Sequence, residues 1–352
     1  MKTLFVVLLF SLGTVCTACT AFLIDNGDRH IVGKNYDWNV ENGRVLANKK
    51  GVAKTAFGVQ NPVSWDSKYG SVTFNQYGQE FPIGGINERG LVIEALWLDE
   101  TAFPPSVPEL PEIDNMQWIQ FQLDVSADVN EVVKNSRSVQ IRPVSAAAVH
   151  YFIADRSGQS LIVEAVGGVL HHYLPDSVNP AVVTNDPYDR SVRLLRKCIA
   201  FGGTLEIPRG QGSVSRFIRA AVKVKNENKA RGDAVAASFR ILNDVKMRSL
   251  TKWTITYDLD SLIVRFRSHS ASGIKSIRLD RLNFNCREPV LFVNIGLNGK
   301  GDITDRFSDF GATENHDLLQ KSVSKTRFLK HSGKQLIELL TEYPKTLTCS
   351  GK

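Results

Sequence analysis

The chain has 352 residues, of which 43% are hydrophobic and 22% charged, and its net charge is +7. That is enough apolar material for a large core, in one large domain or two ordinary ones, and too little polar bias for global disorder. The positive charges are scattered, and no zinc-type Cys/His spacing, phosphate-loop glycine pattern or dinucleotide fingerprint occurs, so the chain carries no signal for nucleic acid, metal or nucleotide.

Residues 1–18 read as an export signal. Lys2 supplies the positive end, Leu4 to Phe10 form an unbroken apolar core, and small residues follow up to Thr17-Ala18. The stretch is too short to span a bilayer stably, and no later apolar run is long enough. The expected mature protein is one soluble domain over 19–352, without a membrane span, secreted or periplasmic. CTAFLI and HIVGKNYDW, separated by the turn signal DNGD, predict a hairpin with Cys19 at the free end of its first strand. Residues 44–97 read as further strands with turns at SKYGS, QYGQ and GGINERG, and GLVIEALWL as a strand buried on both faces. Helical periodicity takes over at 112–138, and strands return at 147–184. Asp186-Pro187 reads as an N-cap and first-turn proline opening a helix through Lys197, and Ser213 as the cap of SVSRFIRAAVKV. A helix near 233–245, a hairpin over 252–267, strands near 275–280 and 290–295, and a helical tail near 325–342 complete the chain. The densest basic run (Lys223, Lys225, Lys229, Arg231) falls at a helix end, where the dipole favours cations. Strand and helix blocks alternate in groups, and neither a repeat nor a linker divides them. This predicts an α+β domain layered around antiparallel sheets. Cys16 leaves with the signal. Cys198, Cys286 and Cys349 are odd in number and widely spaced, so no disulfide is expected.

Removal of residue 18 would give Cys19 two reactive groups on one Cα. The thiol is a nucleophile once ionised. The α-amine, with a reference pKa of roughly 8, can take the thiol proton and return it to a leaving amine. While residue 18 remains attached, the nitrogen is an amide and cannot act as a base. Two other readings of Cys19 stand beside this one. It is an ordinary buried cysteine, or it is a lipoprotein cysteine carrying a diacylglyceryl group, although the −3 position is Cys16 where leucine is usual.

The ordered fragments CTAFLI, GKNYDW, GGINERGLVIEALW, VVTNDP, SVSRFIRAA and KWTITYDL, from residue 19 to about 260, resemble the choloylglycine hydrolase family of bile salt hydrolases and penicillin V acylases. The resemblance implies a four-layer αββα sandwich of two antiparallel sheets, the N-terminal nucleophile hydrolase fold. It also implies hydrolysis of a linear, non-peptide amide C–N bond through a thioester, without metal or organic cofactor. Residue by residue, Cys19 matches the nucleophile, and Asp37 the aspartate that holds its amine and thiol. Asn185 matches the side-chain oxyanion donor, and Trp97 the backbone N–H donor whose side chain also lines the pocket. Arg216 matches the cation that favours thiolate. Asn87 matches a recurrent asparagine that either contacts substrate or simply forms its turn. Lys34 departs from the pattern, since the family usually has arginine there and a planar fork becomes a point charge. The implied partner is a small acyl amide: a conjugated bile acid, penicillin V or an acyl homoserine lactone. The tryptophan at position 97 tilts the choice toward acylase-like substrates, and the stretches 60–82 and 100–112 are expected to shape the pocket. A homo-oligomer, often a tetramer, is implied too. The competing readings are a lipid-anchored binding protein of the same fold and a ceramidase-like lipid amidase.

Overall fold

A computed structural model describes residues 18–144, 147–176, 178–326, 329 and 333–350. The expected export signal, apart from Ala18, lies outside the described residues.

Two large sheets form the centre. In the first, the strands lie in the order Val182–Val183, Thr20–Asp25, His30–Asp37, Thr251–Asp258, Ile263–Ser268, Lys275–Arg278 and Gly301–Asp302, antiparallel except for the last short pair. In the second, all antiparallel, the order is Val169–Tyr173, Ser160–Val166, Val149–Ala154, Val92–Trp97, Pro82–Asn87, Ser71–Asn75, Arg44–Asn48, Leu291–Asn294 and Ser308–Asp309. Both predicted hairpins are present, the first in the register Ala21↔Lys34 and the second in the register Ile255↔Phe266.

Among the described residues, seven α-helices flank the sheets: α1 (Gln117–Val125), α2 (Val129–Ser136), α3 (Tyr188–Leu195), α4 (Ser213–Glu227), α5 (Ala234–Val245), α6 (Ala312–Val323) and α7 (Gly333–Glu342). Helices α4 and α5 cover the outer face of the first sheet, and α1 covers that of the second. Between the sheets Phe74 meets the rings of Trp253, Tyr257 and Phe266. Helix, sheet, sheet and helix layers therefore bury the core between them. The strands Val92–Trp97 and Val149–Ala154, buried on both faces, are mainly apolar, whereas His30–Asp37 buries Lys34, Asn35 and Asp37. Gly33 is needed for this layering. A Cβ there would stand 2.7 Å from Ser238 Oγ of α5 and collide with the Phe22 ring. Among the described residues no helix is long and apolar enough to cross a membrane.

Several local expectations are corrected. Asp186 does not cap α3. It pairs with Arg190 at 3.2 Å, and the N–H of Tyr188 donates to the Glu164 carboxylate at 3.0 Å. A buried anion from a neighbouring strand thus meets the positive helix end. Ser213 is the first residue of α4 with Gly212 as cap, and its hydroxyl serves a turn described below. The tail holds an unexpected helix, α6, whose entry is fixed by Glu314 accepting from Gly311 N.

The chain also contains a disulfide, Cys286–Cys349, with Cα atoms 5.4 Å apart. Counting cysteines missed it because the pair is made by tertiary structure. Lys50 bridges to Asn285 and Cys349 pairs with Val52, so one short segment brings both sulfurs together. The bridge closes a 63-residue separation. Cys349→Ser is expected to cost roughly 2–4 kcal/mol, read as a lower urea midpoint, and an unchanged midpoint would refute the clamp.

Candidate active site

Period-two alternation on Thr20–Asp25 sorts the first residues. Thr20 and Phe22 face the helices, where Thr20 Oγ1 accepts from Arg216 of α4 at 2.8 Å and Phe22 lies by α5. Cys19 faces the other way, into a cavity of about 310 Å³. Its neighbours there include Tyr36, Trp38, Phe81, Trp97 and Leu340, so the cleft is largely apolar.

Charge gathers around the sulfur. Burial pushes the Cys19 thiol up; Lys34 opposes that, Asp37 adds to it, and Arg216 opposes it more weakly. Lys34 is itself fully buried, with Nζ 2.5 Å from the Ala95 carbonyl and 3.5 Å from Glu94 Oε2. Glu94 accepts from Tyr257 OH at 2.5 Å. A Cβ on Gly84 would collide with the Glu94 carboxylate, so glycine there makes room for the counter-ion. The point charge of Lys34 is thus pinned between the sheets.

Asp37 accepts from Thr251 Oγ1 through Oδ1, while its Oδ2 is buried with no hydrogen-bond partner among the described residues. Burial, only partly offset by Thr251, Arg216 and Lys34, raises its carboxyl to about 6. An unfolded aspartate ionises near 3.8. Between those values the folded chain binds more protons, so stability falls as pH rises and levels off above about 6. Two units correspond to about 3 kcal/mol. In a chain beginning at Ala18, Asp37→Asn is expected to flatten this fall, as measured by urea unfolding between about pH 4 and pH 7. A wild-type profile already flat over that window would contradict it.

Arg216 lies in the first turn of α4, where the helix dipole disfavours a cation. Its surroundings compensate. Nη1 donates to the carbonyls of Ala18 and Cys19 (2.7 Å for the latter) and to Thr20 Oγ1, and Nε to Gln211 O at 3.2 Å. Nη2 donates to Asn185 Oδ1 at 2.9 Å. Because a guanidinium only donates, Asn185 must turn its oxygen toward it and its NH₂ the other way. That NH₂ donates to the Trp97 carbonyl at 2.8 Å, which leaves a second hydrogen.

Cys19, Asp37, Lys34, Arg216, Asn185 and Trp97 are therefore joined by short contacts or shared electrostatics. Asn87 stands apart. It is fully buried, its amide donates to the Leu123 and Ser126 carbonyls, and its oxygen accepts from Arg89 N and Leu91 N. Those bonds describe the turn-forming reading, with no donor left for substrate. The stretch 60–82 supplies Tyr77 and Phe81 to the cavity, whereas 100–112 supplies no lining residue among those described. The missing wall comes from α6 and α7. Sequence reading also overlooked what holds Asn185. Ser213 Oγ accepts from Asn185 N at 2.8 Å and meets Thr184 Oγ1 at 2.9 Å. Buried His150 bridges Glu164 Oε1 and the Thr184 carbonyl at 2.7 and 2.8 Å. A period-two strand places His150 inward, but no local signal marks its partner.

Residues 19–292 match the model of the linear amide C–N hydrolases, choloylglycine hydrolase family. A penicillin V acylase of Pectobacterium atrosepticum is 29% identical over 316 residues, covering 77% of this chain and 83% of that protein. The structure of penicillin V acylase from Agrobacterium tumefaciens superposes with a TM-score of 0.73 at 24% identity, covering 83% of this chain and 98% of the other. A variant of conjugated bile acid hydrolase from Clostridium perfringens gives 0.65 at 19%, covering 81% and 98%.

Proposed function

Since the chain belongs to the choloylglycine hydrolase family of linear amide C–N hydrolases and has the N-terminal nucleophile hydrolase fold, we propose that Cys19, freed as the first residue, is the nucleophile that carries out this hydrolysis. The observation that carries the reading is the unpartnered Oδ2 of Asp37 beside Cys19. A buried carboxylate oxygen without a donor is costly, and an α-ammonium released at Cys19 would supply one. Removal of residues 1–18 on export, to the periplasm or outside the cell, would release it.

The steps are those of acyl transfer. The α-amine takes the thiol proton, with Lys34 and Arg216 favouring the thiolate against burial. The thiolate attacks the amide carbonyl carbon. Asn185 Nδ2 and the Trp97 N–H hold the oxyanion as the tetrahedral intermediate forms. The C–N bond breaks, and the amine leaves with the proton held on the Cys19 ammonium. Water, losing a proton to the α-amine, then hydrolyses the thioester, releasing the acid and restoring the thiol.

The apolar cleft and the tryptophan at position 97 support an acylase-like substrate: an apolar acyl group joined to a polar amine. The test is N-terminal sequencing and intact mass, run on the same sample as an amine-release panel of penicillin V, a glycine-conjugated bile acid and acyl homoserine lactones. The expected result is a chain starting at unmodified Cys19 that releases amine from at least one of them. A chain starting elsewhere, or a diacylglyceryl increment on Cys19, would favour the lipid-anchored reading. Cleavage confined to long-chain lipid amides would favour the ceramidase-like one.

A further inference from the structure

One wall of the cavity is not built by the sheets. Val323 at the end of α6, Leu329 beyond it, and Leu336 and Leu340 on α7 line it together with Cys19. Leu336 and Leu340 are four apart and share a helix face, while Leu339 between them is 48% exposed. Tyr343 continues the inward stripe, packing on Phe57 and Phe81, accepting from Gln117 Nε2 at 2.5 Å and donating to the Thr55 carbonyl at 2.8 Å. The pair of helices is fastened at several points. Asn315 Nδ2 donates to the Leu340 carbonyl at 3.0 Å, and Tyr77 OH meets Thr326 Oγ1 at 2.8 Å. Beyond α7, Thr348–Cys349 pairs with Val52–Thr55 and Cys349 is bonded to Cys286. This whole wall lies outside residues 19–292, the part matched by the family model.

The side-chain N–H and phenol O–H donors of the cavity are already engaged. Tyr36 OH donates to Gln76 at 2.7 Å, Tyr77 OH accepts from Trp38 Nε1 at 2.9 Å, and Trp97 Nε1 donates to Asp99 at 2.6 Å. Asp114 accepts from Met116 N and Val144 N at 2.9 Å. With those donors occupied, an anionic acyl group would lose its water without replacement, whereas a hydrocarbon one would not.

We infer that the α6–α7 pair is the specificity element for the acyl group: its leucines admit neutral hydrocarbon acyl chains and limit their length, and the Cys286–Cys349 bond holds that limit in place. The inference rests on the hydrolytic reading for its substrate, but the wall can be read without turnover.

The experiment uses the mature chain and N-acetyl-, N-octanoyl-, N-dodecanoyl- and N-hexadecanoylglycine. Amine release is measured with active protein, and binding by calorimetry in the Cys19→Ala background. Leu336→Trp and Leu340→Trp are expected to lower the dodecanoyl-to-acetyl ratio at least tenfold, in kcat/KM and in affinity alike. Cys349→Ser is expected to raise the hexadecanoyl-to-octanoyl ratio at least threefold. Near-UV circular dichroism selects the variants that fold, and Leu336, being partly exposed where Leu340 is buried, keeps the test available should the Leu340 variant fail to fold. Ratios unchanged in folded variants overturn the inference. A wild type that binds the series in proportion to chain length but releases no amine defeats the hydrolytic reading instead, and the affinity ratios still decide the wall.

Discussion

Replacing Cys19 with alanine is expected to remove amide hydrolysis altogether, a loss of roughly a million-fold in kcat of the kind seen when a nucleophile is deleted. The residual rate would be what oriented donors give to bulk water. The side chain is small and 4% exposed, so the fold should remain within about 1 kcal/mol of wild type. Retained activity in the folded variant would end the proposed mechanism. A chain that keeps Ala18 should be equally inert although its sulfur is present. Its α-nitrogen is then an amide, burial keeps the thiol protonated, and the Ala18 and Cys19 carbonyls accept from Arg216. Comparing the two separates the need for sulfur from the need for a free amine.

Asn185→Ala should lower kcat by roughly a hundredfold to a thousandfold, the usual cost of one oxyanion donor. Asn185→Asp is the sharper test. Its carboxylate would bind Arg216 more strongly than the amide oxygen does, so the turn between Val182–Val183 and α3 should hold at least as well. It offers no N–H, however, and faces the developing oxyanion with a like charge. Activity therefore falls at least as far as in the alanine variant, while the stronger Arg216 pair offsets the lost bond to the Trp97 carbonyl and leaves thermal stability no lower than in that variant. Should Asn185→Asp keep wild-type kcat, the side chain is a scaffold and not a donor. Ser213→Ala, which loosens only the backbone of Asn185, should give a milder fall.

These effects were unequally visible from residues alone. The hairpin opening at Cys19 announces itself by an apolar, β-branched run and turn residues, and the Thr251–Asp258 strand by its strand-like hairpin pattern, which are local properties. Cys19, Asp37, Asn185 and Arg216 came from ordered fragments whose spacing only a shared fold would preserve. What holds them was silent. Lys34 is an unusual residue until Glu94 is seen beneath it, since the pair is made across two sheets. Glu164 takes over the start of α3 from a separate strand, so the Asp-Pro signal misled. Leu336 and Leu340 of α7 stand four apart in the helical tail, and nothing in that spacing says which surface they cover.

Cys19 and Leu340 border the same cavity although 321 positions separate them (340 − 19). A loop of that length costs closure entropy before the contacts of α7 reward it. The two sheets can therefore assemble around an open gap that only the arrival of α7 seals. A protein stalled before that step would be nearly native by backbone signature yet have no chamber to fill, and its sticky floor would lie bare to other unfinished chains.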